Sequence, residues 1–264
     1  MRETLLSVRN LSVVYRASGA DSTVAAVTGV NLELRAGESL GIVGESGSGK
    51  TTLARAILGL VRPDEGEIWW RGHRLDQLPK GKARAARRGM QIIFQSPFAS
   101  LNPRMRIHAS IAESLENDAG VSSAEIHRRV TSAAGRTGLE PHLLARYPHE
   151  LSGGQCQRAA IARAIIANPR LLICDEAVSA LDVSLQVQIV ELLRQLRDEL
   201  QLSLIFITHS PGIVRALCAR ALVMCRGQVV EQGAVQQLLE KPEHPCTRAL
   251  LAAPLQLGAA QPTW

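Results

Sequence analysis

No run of the sequence approaches the ~20 consecutive apolar residues that a helix needs to cross a bilayer. The opening residues, Met1 to Asn10, lack the basic-then-apolar layout of a secretory leader. Both absences lead to the expectation of a soluble, intracellular product. The five cysteines, Cys156, Cys174, Cys218, Cys225 and Cys246, form no C-x-x-C pair and no zinc spacing. Metal ligation by them is therefore not expected, and a reduced cytosolic setting fits. Cys174 sits inside an apolar run, where it behaves as a small hydrophobe. The densest basic cluster, Lys80 to Arg88, has no interleaved aromatic residue and reads as a solvated helix face. Internal repeats and low-complexity segments are also missing.

What remains is a chain of 264 residues, 46% apolar, able to bury a sizeable core. Its net charge of +6 suits a nucleotide-binding protein near an anionic membrane face, and equally a nucleic-acid binder. Apolar or alternating runs at Leu5–Val8, Leu11–Tyr15, Val30–Leu34 and Ser39–Val43 predict strands, largely antiparallel, with Glu67–Trp70 and Met90–Phe94 extending this first lobe. Prolines and helical periodicity between Ser96 and Glu150, notably over Ile107–Leu115 and Ala124–Thr137, predict a helical insert. Afterwards helices (Gln155–Ala167, Leu185–Leu200) alternate with strands (Leu171–Asp175, Leu204–Thr208), which implies a parallel sheet with right-handed crossovers. Ala221–Cys225 and Gln228–Glu231 read as a hairpin around Arg226-Gly227. A proline-bearing tail from Lys241 carries the short amphipathic stretch Thr247–Ala252.

Residues 44–51 read Gly-Glu-Ser-Gly-Ser-Gly-Lys-Thr, a complete G-x-x-x-x-G-K-[ST] phosphate loop between a predicted strand and a helix over Thr52–Leu58. Gly44, Gly47 and Gly49 let the backbone curl round an anion, with Glu45, Ser46 and Ser48 between them. The helix beginning near Thr51 and Thr52 aims its positive dipole end at the same point. Lys50 supplies charge for the β- and γ-phosphates and Thr51 a hydroxyl for magnesium. Downstream, Leu171-Leu-Ile-Cys-Asp175-Glu176 is an apolar strand ending in acids, at the end where such sheets bind ligands. Asp175 is placed to hold magnesium, and Glu176 to orient or deprotonate an attacking water. Leu151-Ser152-Gly153-Gly154-Gln155 opens a helix with Ser152 as its N-cap and glycines that allow close approach to an anion; an ordinary capped helix is the alternative.

Together these segments resemble the ATP-binding-cassette ATPases over nearly the whole length of the chain. The resemblance implies a P-loop α/β fold: a mixed or parallel core sheet, an antiparallel β-subdomain and a helical subdomain insert. It implies one domain spanning 1–264, with core and β-subdomain over 1–95, helical subdomain over 96–155, core over 156–240 and a tail over 241–264. Gln95 matches the Q-loop glutamine, a further magnesium contact, and Ser179-Ala-Leu-Asp182 the D-loop. His209 resembles the switch histidine at the γ-phosphate. Tyr15 matches the aromatic that stacks on adenine, with sheet-edge packing as the alternative. Cassettes of this kind pair head to tail, so that Ser152 and Gly154 of one contact the γ-phosphate held at Lys50 of the other. ATP and Mg2+ are the implied cofactors. Ala177, Cys156 and Ser210 depart from the common family pattern without removing a group that touches phosphate, metal or water; Ser210 followed by Pro211 reads as a helix N-cap.

Gln95-Ser-Pro-Phe-Ala-Ser-Leu-Asn-Pro-Arg104 and Glu243-His-Pro-Cys-Thr-Arg-Ala-Leu-Leu-Ala252 resemble the bacterial peptide/nickel importer group. Asp-Glu-Ala-Val-Ser and Trp70-Arg-Gly72 look most like its nickel-type second ATPase subunit. The resemblance implies an ATPase peripheral to the cytoplasmic face of the inner membrane. Its partners would be a second cassette (identical or a paralogue), two permease subunits and, indirectly, an extracytoplasmic binding protein, with no nucleic acid. Phe98, Leu101, Met105 and Ile107 are candidates for docking a permease helix or for packing within the insert. A cassette acting on ribosomes or DNA, and a non-hydrolysing regulatory cassette, are the competing readings.

Overall fold

The computed structural model describes residues 3–16, 23–116 and 121–256, which fall into two units. One comprises the chain up to Arg87 and again from Ser203; the other comprises Arg88–Leu202. In the first unit, β1 (Thr4–Arg16) and β2 (Thr23–Arg35) pair antiparallel along most of their length. Both strands are longer than their apolar runs. The pairing shifts register between Val8 and Leu11, where Asn10 (φ 47°) and Gly29 (φ 60°) adopt left-handed backbone. This irregularity re-aims the strands without ending them. It explains why the sequence looks like separate strands broken by turns. Leu6, Val8, Leu11 and Val13 of β1, with Val27, Val30, Leu32 and Leu34 of β2, are buried.

β3 (Ser39–Val43) is wholly buried and leads through the phosphate loop into α1 (Lys50–Ile57). β4 (Glu65–Trp70) and β5 (His73–Arg74) complete an antiparallel sheet in the order β2-β1-β4-β5. The basic cluster forms α2 (Lys80–Arg87), with Lys82 and Arg84 exposed.

The second unit opens with β6 (Met90–Ile93), followed by α3 (Pro97–Ser100), α4 (Ile107–Glu116), α5 (Ser123–Arg136) and α6 (Gly153–Ile165). It ends with β7 (Leu171–Asp175) and α7 (Val183–Leu200). β6 runs parallel to β7, from Met90↔Leu171 to Ile93↔Cys174. That strand was expected with the first lobe; its partner lies in the second unit. α3, α4 and α5 all pack on α6, whose alanines at 159, 160, 162 and 164 are buried. Small side chains there allow close helix approach. Of the apolar candidates in this region, Leu101 and Ile107 are buried and belong to packing, Met105 is half-buried, and Phe98 is 47% exposed.

The chain returns to the first unit with β8 (Ser203–Thr208), α8 (Pro211–Leu217), β9 (Arg220–Cys225), β10 (Gln228–Ala234), α9 (Val235–Glu240) and α10 (Pro245–Gln256). Within this unit β3 lies between β8 and β9 and is parallel to both. Its expected membership of the antiparallel set is thereby corrected: an apolar run carries no information on the direction of its neighbours. The β9–β10 hairpin turns at Arg226 (φ 48°) and Gly227 (φ 82°) as expected. α8 does begin at Pro211, but the Ser210 side chain makes no capping bond; instead the Ser210 N–H donates to Thr208 Oγ1 at 3.0 Å. The cysteines are not all reduced: Cys225, at the end of β9, is disulfide-bonded to Cys246 in the first turn of α10. Cys156, Cys174 and Cys218 are buried thiols. Residues 257–264 of the tail lie outside the described residues.

Candidate active site

In the first unit the phosphate loop is built by close backbone contacts that exclude side chains. A Cβ on Gly44 would lie 2.2 Å from the Met224 carbonyl oxygen of β9. One on Gly49, whose φ is +100°, would lie 2.2 Å from the Ala26 carbonyl oxygen of β2. The Gly227 N–H donates to the Ser48 carbonyl at 3.1 Å, and the Thr28 N–H to the Gly227 carbonyl at 2.8 Å. The hairpin tip and β2 thus wall the loop from outside, and only glycine fits against them. The sequence marks Gly227 only as a hairpin turn and does not single out Ala26 or Met224 as wall residues, because the contact is between backbones and leaves no side-chain signal.

Lys50 is 4% exposed, and its Nζ donates to the carbonyls of Gly44 (2.8 Å) and Glu45 (2.7 Å) and to Ser48 Oγ (3.2 Å). A buried ammonium needs such acceptors. The same bonds hold it over the concave side of its own loop. Glu45, Ser46 and Gly47 are exposed, while Thr51 and Thr52 are half-buried in the first turn of α1. Val43 and Thr208 are register partners. The phosphate loop and His209 therefore leave the sheet at the same end of adjacent parallel strands, with His209 exposed. Tyr15, 42% exposed, pairs with Val24 across β1 and β2. An exposed aromatic face is compatible with base stacking and does not belong to the core.

In the second unit the parallel register places Gln95, just past β6, at the same end of the strands as Asp175, the last residue of β7, and Glu176 after it. Asp175 is 4% exposed. Gln95 Nε2 donates to Glu176 Oε2 at 3.0 Å. Glu176 has φ 49°, an uncommon left-handed setting for a non-glycine residue. Its carbonyl accepts from Ser179 N (3.1 Å) and Ser179 Oγ (3.0 Å), which fixes this turn. Ser179 entered the sequence reading only as part of a motif; its hydroxyl is what braces the acidic turn. Ala177 and Val178 are buried behind it.

Ser152 and Gln155 form a reciprocal cap on α6. Gln155 N donates to Ser152 Oγ at 3.3 Å, and Ser152 N to Gln155 Oε1 at 2.9 Å. Gly153 is half-buried. Gly154 is buried, and a Cβ there would lie 3.2 Å from two methyls of Leu185 on α7. Asp182 caps α7 by accepting from Leu185 N (3.0 Å) and Ser184 Oγ (2.8 Å). Those bonds, the backbone one foremost, hold its carboxyl below the usual range. Cys156, one departure from the family pattern, is fully buried against the Pro148 carbonyl, and burial pushes its thiol up to about 11. It is a packing residue.

The first unit therefore gathers Lys50, the phosphate loop and His209, and the second gathers Gln95, Asp175 and Glu176. Among described residues no cluster of three or more His, Cys, Asp or Glu side chains could hold a metal. Thr51 in the first unit, and Asp175 and Gln95 in the second, each carry the kind of hard oxygen donor that magnesium takes. A family model described as ABC transporter matches residues 27–179. The chain is 48% identical to the oligopeptide transport ATP-binding protein OppF of Escherichia coli K12, over 96% of this chain and 78% of that protein. It is 45% identical to a putative peptide import ATP-binding protein of Brucella abortus, over 92% of this chain and 73% of the relative. Among solved structures, the dimeric post-hydrolysis cassette MJ0796 bound to ADP and Pi superposes with a TM-score of 0.79 at 27% identity, covering 88% of this chain and 99% of that one. CbiO1 of Clostridium perfringens, part of the complex cbiONQ, gives 0.79 at 29% identity, covering 97% and 96%.

Proposed function

The chain belongs to the ABC transporter family, and we propose that it is the ATP-hydrolysing subunit energising a membrane importer of peptides. The fold is the α/β cassette that the sequence resemblance implied. Peptide cargo is supported by relatives named for oligopeptide, peptide and glutathione import. The nickel-type alternative rests on short sequence matches alone.

Lys50 and the loop N–H groups neutralise the β- and γ-phosphates, and Tyr15 stacks on the base. Thr51, Asp175 and Gln95 would hold Mg2+, which would supply neutralisation of phosphate charge. Glu176 orients the attacking water and accepts its proton, and His209 steadies the γ-phosphate. Ser152, Gly153, Gly154 and Gln155 of one cassette, with Asp182 beside them, close over the nucleotide of a second cassette. ATP then bridges the pair and hydrolysis releases it, which is the free energy difference that drives transport. The whole chain acts as one cassette, with the segment 96–155 turned to the permease. Phe98, 47% exposed, is the docking candidate that its exposure supports. Among described residues no helix is long and apolar enough to cross a membrane. Membrane-spanning partners supply the pathway, and this subunit sits at the cytoplasmic face.

The hydrogen bond from Gln95 to Glu176 carries this reading, because it joins the two groups expected to manage metal and water. Reconstitution with two permeases and a second cassette in proteoliposomes tests it. Peptide-stimulated phosphate release is expected; turnover that ignores peptide but responds to nucleic acid would replace it with the ribosome or DNA reading.

A further inference from the structure

The outer wall of the phosphate loop carries a feature that nucleotide hydrolysis does not use. A cleft of about 340 Å³ is lined by Gly44–Ser48 on one side and by Val223–Arg226, Pro245, Cys246 and Ala249 on the other. The Cys225–Cys246 disulfide lies in that lining and ties the end of β9 to the start of α10, whose Cα atoms are 6.4 Å apart. Met224, the residue before Cys225, presents the carbonyl against which Gly44 is packed. Gly227, beyond the turn, donates to Ser48. The cross-link therefore acts on the same strand end that shapes the loop.

Its surroundings differ from those of the other cysteines. Cys225 and Cys246 are half-buried and open to small reagents, whereas Cys156, Cys174 and Cys218 are buried. Cys246 lies in the first turn of a 12-residue helix, and its N–H donates to His244 Nδ1 at 3.1 Å. A helix N-terminus favours negative charge, which suits Cys246 as the attacking thiolate. α10 does not depend on the sulfur alone for its position. The Glu231 carboxylate of β10 accepts from Glu243 N (3.1 Å), His244 N (3.0 Å) and Thr247 Oγ1. Reduction would thus free the start of α10 from β9 while leaving it anchored to β10.

We propose that Cys225 and Cys246 form a thiol–disulfide exchange site for low-molecular-weight disulfides and thiols, whose oxidised state stiffens the wall of the phosphate loop. Oxidation proceeds in balanced steps. The Cys246 thiolate attacks one sulfur of a small disulfide and expels a thiolate. Cys225, after losing its proton to solvent, attacks the Cys246 sulfur of the mixed disulfide and expels the second. Two protein thiols and one small disulfide become one protein disulfide and two small thiols, and excess thiol reverses the sequence. A loop braced in its bound form loses less freedom on binding, so the oxidised protein holds nucleotide more tightly. That consequence rests on the proposed ATP site; the effect on the loop itself does not.

The test equilibrates the full chain, Cys246→Ser and Cys225→Ser in glutathione buffers of varied redox ratio. Peptide mass mapping follows the cross-link, amide hydrogen exchange follows residues 44–49, and a fluorescent ATP analogue reports affinity. The wild-type protein should form the link in oxidised glutathione, slow exchange across 44–49, and bind the analogue about threefold or more tightly. Neither serine variant can form the link, so exchange across 44–49 should stay unslowed in both; Cys225→Ser should instead trap glutathione on Cys246 as the mixed disulfide. Thiols that persist under oxidation, or a complete link with unchanged exchange at 44–49, would overturn the proposal. If exchange follows the redox ratio but no state binds the analogue, the nucleotide reading fails and the exchange site stands.

Discussion

The side-chain amide of Gln95 donates to the carboxylate of Glu176 across 3.0 Å, joining residues separated by 81 positions. A carboxylate meant to receive a proton from water must be held in place, and an amide N–H does so without neutralising it. Gln95→Ala should lower steady-state phosphate release by about a hundredfold, the order of loss when a group at the reaction centre is misplaced by about 1 Å. ATP affinity should change by less than about threefold, because in the proposed site Lys50 and the loop, not Gln95, hold the phosphates.

The phosphate loop separates steric from conformational demands on glycine. Gly44→Ala and Gly49→Ala each force a methyl to 2.2 Å from a backbone oxygen. Backbone cannot swing aside as a side chain would, so each should cost about 2–4 kcal/mol or abolish nucleotide binding outright. At Gly47 the φ of +80° is left-handed, but a Cβ meets nothing within 4 Å. Gly47→Ala should therefore cost only about 1–2 kcal/mol. Urea unfolding midpoints of the three variants will rank them.

At the start of α6, stability and turnover should come apart. Ser152→Ala removes one cap bond and should cost about 1 kcal/mol. Gly154→Ala meets flexible Leu185 methyls at 3.2 Å and should cost about the same or less. If this helix start closes over a second cassette's nucleotide, both variants should nonetheless lose most of their ATP turnover in the assembled complex. Loss in simple proportion to unfolding would assign them to packing alone.

Asp182 links folding to pH. Its folded pKa lies below the ordinary 3.8 because Leu185 N, then Ser184 Oγ, bond the charged form. The stabilisation is thus present above pH 3.8 and is lost as pH falls through the lower folded value. Asn caps about as well as Asp. Asp182→Asn should therefore match the wild type in melting temperature at pH 7 and lose less of it on acidification below about pH 4. Thermal melts from pH 7 to below pH 4 will show whether the two curves, coincident at neutral pH, separate on acidification; curves that stay together would remove Asp182 from the acid response.

Legibility followed locality. β3 and β7 matched their apolar runs end to end, because buried parallel strands are continuous in the sequence and bounded by glycine or acid. The phosphate loop and the α6 cap were legible as motifs because each is a contiguous backbone device. β2 was half missed: Gly29 at φ 60° looks like a turn, yet it sits in a register shift opposite β1. The direction of β3's neighbours, the Gln95–Glu176 bond and the Cys225–Cys246 link all join distant segments, and no local pattern encodes them. The cap expected from Ser210 failed for another reason: a favourable residue type was present before Pro211, but residue type alone does not set the side-chain rotamer, and the Ser210 hydroxyl accepts no N–H of the helix.

Phosphate release by Glu176→Gln, measured in the assembled transporter at saturating ATP, tests the central claim most directly. The amide keeps the shape of Glu176 but cannot accept a proton, so ATP should remain bound while turnover falls by at least about a hundredfold. Phosphate release at the wild-type rate would contradict the assignment of this chain as an ATPase that works through Glu176.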